Sequence, residues 1–225
     1  MAVAEWLRIG ERRAEKVVPA PYSKKKFQQA LDQIRSFTVL PPSKWQSQLI
    51  ELCANAGVAV VFVPAIPKSG VSGVARWLVS DKALIQLSLY EKTNDKLWFT
   101  FFHEAAHILL HAKKNIFLDN LDASINNALE EEANRYARDM LIPPAYVSKL
   151  RFLSSAEDIK SYAANLGIHP GIVVGRMQFD HIAPFDRWNH LKDRYEFVQS
   201  AGWFSAIPRR WLRKSGLIIL STLLK

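Results

Sequence analysis

The chain has 225 residues, 49% of them hydrophobic and 23% charged, with seven Trp and twelve Phe, so it can bury a core and is not an intrinsically disordered chain. Its net charge of +9 is unevenly spread: Arg209, Arg210, Arg213, Lys214 and Lys225 stand in residues 201–225 without an acid and supply five of the nine. The body is only mildly basic, and composition gives little support to a nucleic-acid partner.

In chain order, residues 2–18 read as a charged helix that stops before Pro19. Glu5, Arg8, Glu11, Arg12 and Arg13 interrupt any apolar run there, so no signal peptide is expected. Pro19 and Pro21 mark a linker, which makes residues 1–23 an N-terminal helix and linker. Residues 24–36 read as a second helix, with Phe27, Leu31 and Ile34 on one face and Lys24-Lys25-Lys26 as its solvated start. Pro41-Pro42-Ser43 opens a third helix, 43–56, which Gly57 ends. It carries the one cysteine, Cys53, which excludes an intramolecular disulfide and a Cys-based zinc site and fits a reducing, cytoplasmic setting.

The texture then changes. Val58–Val63 is a β-branched run stopped by Pro64 and reads as a buried strand. Val74–Val79 and Ala83–Leu89, joined through Ser80-Asp81-Lys82, read as a hairpin. Strong helices follow at 96–112 and 124–141, then shorter ones at 143–151, 155–166, 170–179 and 189–199. Helices, a small mostly antiparallel sheet, then helices is the α+β pattern. Within 159–177, Ala163, Gly167 and Val173 have the spacing of a helix-turn-helix, although a helical subdomain closing the site is the preferred reading. The late apolar run Leu217–Leu224 is interrupted by Ser221 and Thr222 and is far shorter than the roughly 20 residues that span a bilayer. Residues 199–225 read as a basic tail of unknown role.

The chemistry-bearing segment is LWFTFFHEAAHILLHA, residues 97–112. At about 100° per residue and with His103 as origin, His107 falls at about 40°, Thr100 at about 60°, His111 at about 80° and Glu104 at about 100°. Every polar side chain lies in that arc, and the remaining circumference is apolar. Such a helix is buried, and its polar stripe must face polar groups inside the protein. Two His at i and i+4 can aim ring nitrogens at one metal ion while the Glu between them stands to the side as a general base, the HExxH arrangement. Zinc suits imidazole, and a catalytic zinc site keeps three protein ligands and an open position. His103 and His107 are therefore candidate ligands, Glu104 the candidate base, and Thr100 and His111 candidates to line or support the pocket. The position six residues after His107 is Lys113, so a third His ligand there is excluded. Glu130-Glu131-Glu132 opens the next helix, whose apolar face holds Leu129, Ala133, Tyr136, Ala137 and Met140. Glu131 points away from that face, while Glu130 and Glu132 flank it at about 80° to either side. Geometry leaves both as third ligand. His169, His181 and His190 offer hydrogen bonds to a transition state, and no spacing selects one.

The string HEAAHILLH followed by EEEANRYARDMLIPP resembles the ImmA/IrrE-type metallopeptidases, whose members carry a HExxHxxxH helix and then a Glu-Ala-Asn segment with a Leu-Met-Pro-like stop. VAVVFVPAIPKSGVSGVARWL, KALIQLSL and WFTFFHEAAHILLH extend the resemblance to long bacterial relatives in which this domain follows an antitoxin-like helix-turn-helix regulator. It covers about residues 24–198, the expected peptidase domain, although no helix-turn-helix is evident in residues 1–20. The resemblance implies a zincin-like active-site helix, Zn2+ as cofactor and Glu132 as the third zinc ligand. It also implies a metalloendopeptidase acting on a protein substrate, either a helix-turn-helix transcriptional repressor or another regulator. The competing reading is an antitoxin-associated module that binds DNA or a toxin with little hydrolysis; the full HExxH and Glu set argues against it.

Overall fold

One helix, α4 (Asn94–Leu110), fixes the architecture because its sequence leaves a single polar stripe. Trp98, Phe101, Phe102, Ala105 and Ala106 are fully buried, so the helix must be covered on nearly every side. In the computed structural model, which describes residues 2–66, 70–111, 123–200 and 203–208, that cover is a three-stranded sheet together with helices. The fold class is α+β, as expected.

The sheet consists of β1 (Val58–Phe62), β2 (Gly73–Val79) and β3 (Lys82–Leu87) in the order β1-β3-β2. β2 and β3 form the expected hairpin. β1 runs parallel to β3, with Val58 opposite Ala83 and Phe62 opposite Leu87, so this sheet is mixed rather than mostly antiparallel. The reason lies in β1, which is buried at every position. Val58, Val60 and Phe62 join the main core, whereas Ala59, Val61 and Val63 join Trp6, Ala14 and Leu84 in a second cluster. A strand apolar on both faces reads as a continuous run, the signature of parallel pairing.

The second cluster exists because α1 (Ala2–Ala14) packs on the far face of the sheet. Gln86, fully buried in β3, donates from Nε2 to the Trp6 carbonyl at 2.7 Å. Arg76 in β2 pairs with Glu11 at 2.9 Å and donates to the Leu7 carbonyl at 2.7 Å. On the other face, α2 (Lys24–Arg35) buries Phe27, Leu31 and Ile34, and α3 (Pro42–Asn55) buries Trp45 and Leu49.

Beyond α4 come α5 (Ala123–Leu141), α6 (Pro144–Val147) with a 3-10 turn at Ser148–Phe152, α7 (Ala156–Leu166) and α8 (Pro170–Phe179). The helix-turn-helix spacing is realised. α7 opens at a reciprocal capping box, Ser155 with Asp158, and closes at Gly167 with φ of 66°, a left-handed conformation that glycine takes most readily. In α8, however, Gly171, Ile172, Val173, Val174 and Met177 are buried, and the helix packs on α4. Its burial supports a closing subdomain over a helix that reads a DNA groove.

The helix expected at 189–199 is a 3-10 turn, Asn189–Leu191, followed by β4 (Tyr195–Ser200), which pairs antiparallel with β5 (Trp203–Pro208). Period-two alternation around Tyr195 and Phe197 prevails because the partner strand lies within the residues expected as a tail. The expected boundary between 198 and 199 thus falls inside a hairpin, and residues 209–225 lie outside the described residues. No helix among the described residues is long and apolar enough to cross a membrane.

A buried polar clasp ties the start of α4 to α8 and to the segment before β4. Asn94 Nδ2 lies 2.7 Å from His169 Nδ1, and Asn94 Oδ1 accepts from the Asp193 backbone N–H at 3.2 Å. Asp95, only 5% exposed, pairs with Lys192 Nζ at 2.7 Å, and that ammonium also donates to Gln178 Oε1 at 2.7 Å. Removing one partner of a buried pair strands the other charge, at a cost of about 3–5 kcal/mol. Lys192→Met is expected to lose that much unfolding free energy in urea titration, and adding Asp95→Asn should recover part of it. A single variant as stable as the parent contradicts this reading of the clasp.

Candidate metal centre

His103 and His107 leave α4 one turn apart on its polar stripe, and their Nε2 atoms stand 3.0 Å apart. The facing helix α5 brings Glu130 to them, with Oε2 at 3.3 Å from His103 Nε2 and Oε1 at 3.4 Å from His107 Nε2. The donor atoms of these three residues all lie within 4.8 Å of one another, as a metal-binding group requires. Glu131 is exposed and pairs with Arg138. Glu132, the ligand implied by resemblance, is placed elsewhere: its Oε2 is 3.3 Å from His111 Nε2. Two residues along a helix are about 200° apart, so Glu130 and Glu132 cannot address the same point. The structure sets Glu130, not Glu132, against the histidine pair.

Both imidazoles are held from behind. His103 Nδ1–H donates to Asn134 Oδ1 at 3.0 Å, and Asn134 is one turn after Glu130 on the same face of α5. His107 Nδ1 lies 3.0 Å from His111 Nδ1. His111 is the C-cap of α4 with extended backbone, so helical projection does not describe it, yet its ring is buried and continues the stripe. With each Nδ1 engaged, the Nε2 atoms are left to face one another. Two neutral imidazole lone pairs 3.0 Å apart repel unless a proton or a cation lies between them. This donor set (two imidazoles, one carboxylate, no thiolate) fits zinc.

The charges agree. Burial disfavours a charged His103, but the hydrogen bond to Glu130 and the nearby Glu104 outweigh it and hold its pKa above the ordinary value. Burial, then the neighbouring His103, push His107 down to about 4. The hydrogen bond with His103 holds Glu130 below the usual carboxylate range. Glu104 stands outside this group, and burial pushes it up to about 7. Its carboxylate accepts a backbone hydrogen bond from Ala75 in β2. That approach depends on Gly73, where a Cβ would stand 2.6 Å from Thr100 Cγ2 and 3.0 Å from Glu104 Oε1.

In front of the centre is a cleft of about 380 Å³ whose walls include Gly73, Lys96, Thr100, His103, Glu104 and Asn134. Thr100 is thus a wall residue. His169 belongs to the clasp, and neither it nor His181 nor His190 lines the cleft. Sequence reasoning missed Asn134 and Gly73. The Glu130–Asn134 spacing is a usable signal for the first; Gly73 has no local signal, since its role appears only when β2 meets α4.

The family model of the IrrE N-terminal-like domain (Peptidase_M78) matches residues 55–176. The chain belongs to this family. The match runs from the end of α3 into α8 and takes in every residue of the centre. This family points to a metallopeptidase, and the His103, His107 and Glu130 group suits a metal ion. Among curated proteins no sequence match is found.

Proposed function

We propose that the chain is a zinc-dependent endopeptidase with His103, His107 and Glu130 as metal ligands and Glu104 as general base. The observation that carries this reading is the convergence of two imidazole nitrogens and one carboxylate beside a separate buried carboxylate. Zinc held there would lower the pKa of a coordinated water toward about 7 and polarise the scissile carbonyl. Glu104, with a pKa near neutrality, accepts a proton from the attacking water and returns it to the leaving amine. Asn134 fixes the tautomer and tilt of His103. Glu132 acts at one remove, through His111, on His107.

The substrate is an extended polypeptide. β2 is an edge strand of its sheet, and Gly73 at its start lines the cleft. Main-chain pairing along such an edge binds a peptide without reference to its sequence. Assignment of the target to a helix-turn-helix repressor or another regulatory protein, and of the chain to the cytoplasm, rests on the resemblance and the single cysteine. The expected result is about one equivalent of zinc per chain by elemental analysis, with hydrolysis of unfolded protein that a chelator stops and zinc restores. A folded, chelator-free preparation with almost no metal rejects the proposal.

A further inference from the structure

Part of the cleft wall is a turn, residues 89–93, on the way from β3 to α4. It brings Glu91 to the cleft, where Glu91 pairs with Lys96 at 3.3 Å, and it brings Tyr90 and Lys92 to an adjoining recess. The turn closes with the Lys92 N–H donating to the Leu89 carbonyl at 3.2 Å. Its backbone is unfavourable at both ends: Leu89 has φ of 52° and Lys92 φ of 58°. In that left-handed region the Cβ of an ordinary residue crowds the following carbonyl. Such a conformation persists only where its surroundings over-determine it, and it gathers at functional sites.

The near end is fixed from within the family-matched residues. The Ser88 N–H donates to the Ser72 carbonyl at 2.9 Å, its hydroxyl donates to the Val71 carbonyl at 2.6 Å, and the Leu89 side chain is buried. The far end is fixed by residues 192–195, which lie beyond the matched 55–176. The Tyr195 N–H donates to the Lys92 carbonyl at 2.8 Å, and Thr93 forms an antiparallel bridge with Arg194. The Asn94 N–H donates to the Asp193 carbonyl at 2.9 Å, and Asn94 Oδ1 accepts from the Asp193 N–H in return. Thr93, the N-cap of α4, makes no side-chain cap. The first N–H of the catalytic helix is therefore met by Asp193, and the second by Asn94 Oδ1 at 2.9 Å. Residues 192–195 are anchored in turn: Lys192 reaches Asp95 and Gln178, and Tyr195 is buried against Trp45.

We propose that residues 192–195 are a positioning strap, which acts through Asn94 and holds the 89–93 turn in the shape that admits a peptide to the cleft. The proposal rests on the peptidase reading. None of these residues belongs to the metal group, so the strap governs how tightly substrate binds rather than how fast bound substrate is cut. The test uses the full zinc-loaded chain and denatured casein. Asn94→Ala should keep one zinc and the parent kcat and raise KM about tenfold, the weight of one lost hydrogen bond. Without substrate, deuterium exchange over residues 89–94 should quicken by about tenfold, while residues 98–107 keep the parent rate. Lys92→Gly accepts the left-handed backbone freely, so adding it to Asn94→Ala should restore most of the KM and slow the exchange again. Lys92→Ala removes the same side chain but keeps the strain, and it should restore neither. Asn94→Ser, which retains an acceptor, replaces Asn94→Ala if the latter does not fold, with the same direction expected. An unchanged KM, a loss of kcat or zinc instead, or equal rescue by glycine and alanine overturns the strap and leaves the peptidase standing. Casein left uncut by the parent chain overturns the peptidase reading and the strap's role in it together, whereas unchanged exchange in the Asn94 variant refutes the strap alone.

Discussion

Glu130→Ala is expected to abolish stoichiometric zinc binding and peptide hydrolysis together, whereas Glu132→Ala should keep zinc at saturation with an affinity lowered by about 10–100-fold. The distinction follows from position. Glu130 reaches both Nε2 atoms, at 3.3 and 3.4 Å, so its loss leaves two imidazoles and no carboxylate. Among the described residues Glu132 reaches His111, which in turn meets His107 through Nδ1, so its loss relaxes the aim of one ring without removing a donor. His111→Ala should resemble Glu132→Ala for the same reason. The measurement is zinc per chain after dialysis, followed by competition with a chromophoric chelator. Retention of zinc by Glu130→Ala with loss in Glu132→Ala would reverse the assignment and restore the ligand that the resemblance implies.

The polar stripe of α4 was legible because a helix has a fixed angular step, and the stripe places Thr100, His103, Glu104 and His107 together without any knowledge of the rest. The β2–β3 hairpin was legible for a similar reason: the period of two and the short Ser80-Asp81 turn are local signals. Projection gives only angles around one axis, and it does not say at what height the neighbouring helix crosses. That height is what sets Glu130 level with His103 and His107 and sets Glu132 level with His111. Nor does it say where α4 ends, and His111, with extended backbone at the C-cap, has already left the helix. The parallel partnership of β1 with β3 depends on α1 covering the far face, a contact between residues far apart in the chain. The hairpin of β4 and β5 is not legible because its short second strand runs directly into Arg209, Arg210, Arg213 and Lys214, which make a basic tail the simplest reading.

The largest loss of turnover with the centre left intact is expected from Glu104→Gln. General-base catalysis contributes about 10²–10⁴-fold, and the amide cannot accept the proton, so kcat should fall by that factor. Zinc should stay near one equivalent, because Glu104 stands outside the group formed by His103, His107 and Glu130. The replacement is close in shape, which matters where Gly73 and Thr100 press on the side chain, and the amide oxygen can still accept from the Ala75 backbone. Burial already disfavours the ionised carboxyl, so the variant should unfold no earlier than the parent. Three readings on one sample (metal content, thermal unfolding and peptide hydrolysis) then separate the possibilities. Unchanged cleavage rejects Glu104 as the base. Loss of zinc together with activity makes Glu104 part of the metal cage. A closed cage of four protein ligands is a structural site, whereas three ligands with a free-standing carboxylate beside them form a hydrolytic one. Glu130→Ala losing both properties while Glu104→Gln loses only turnover is the pattern that a working peptidase centre must give.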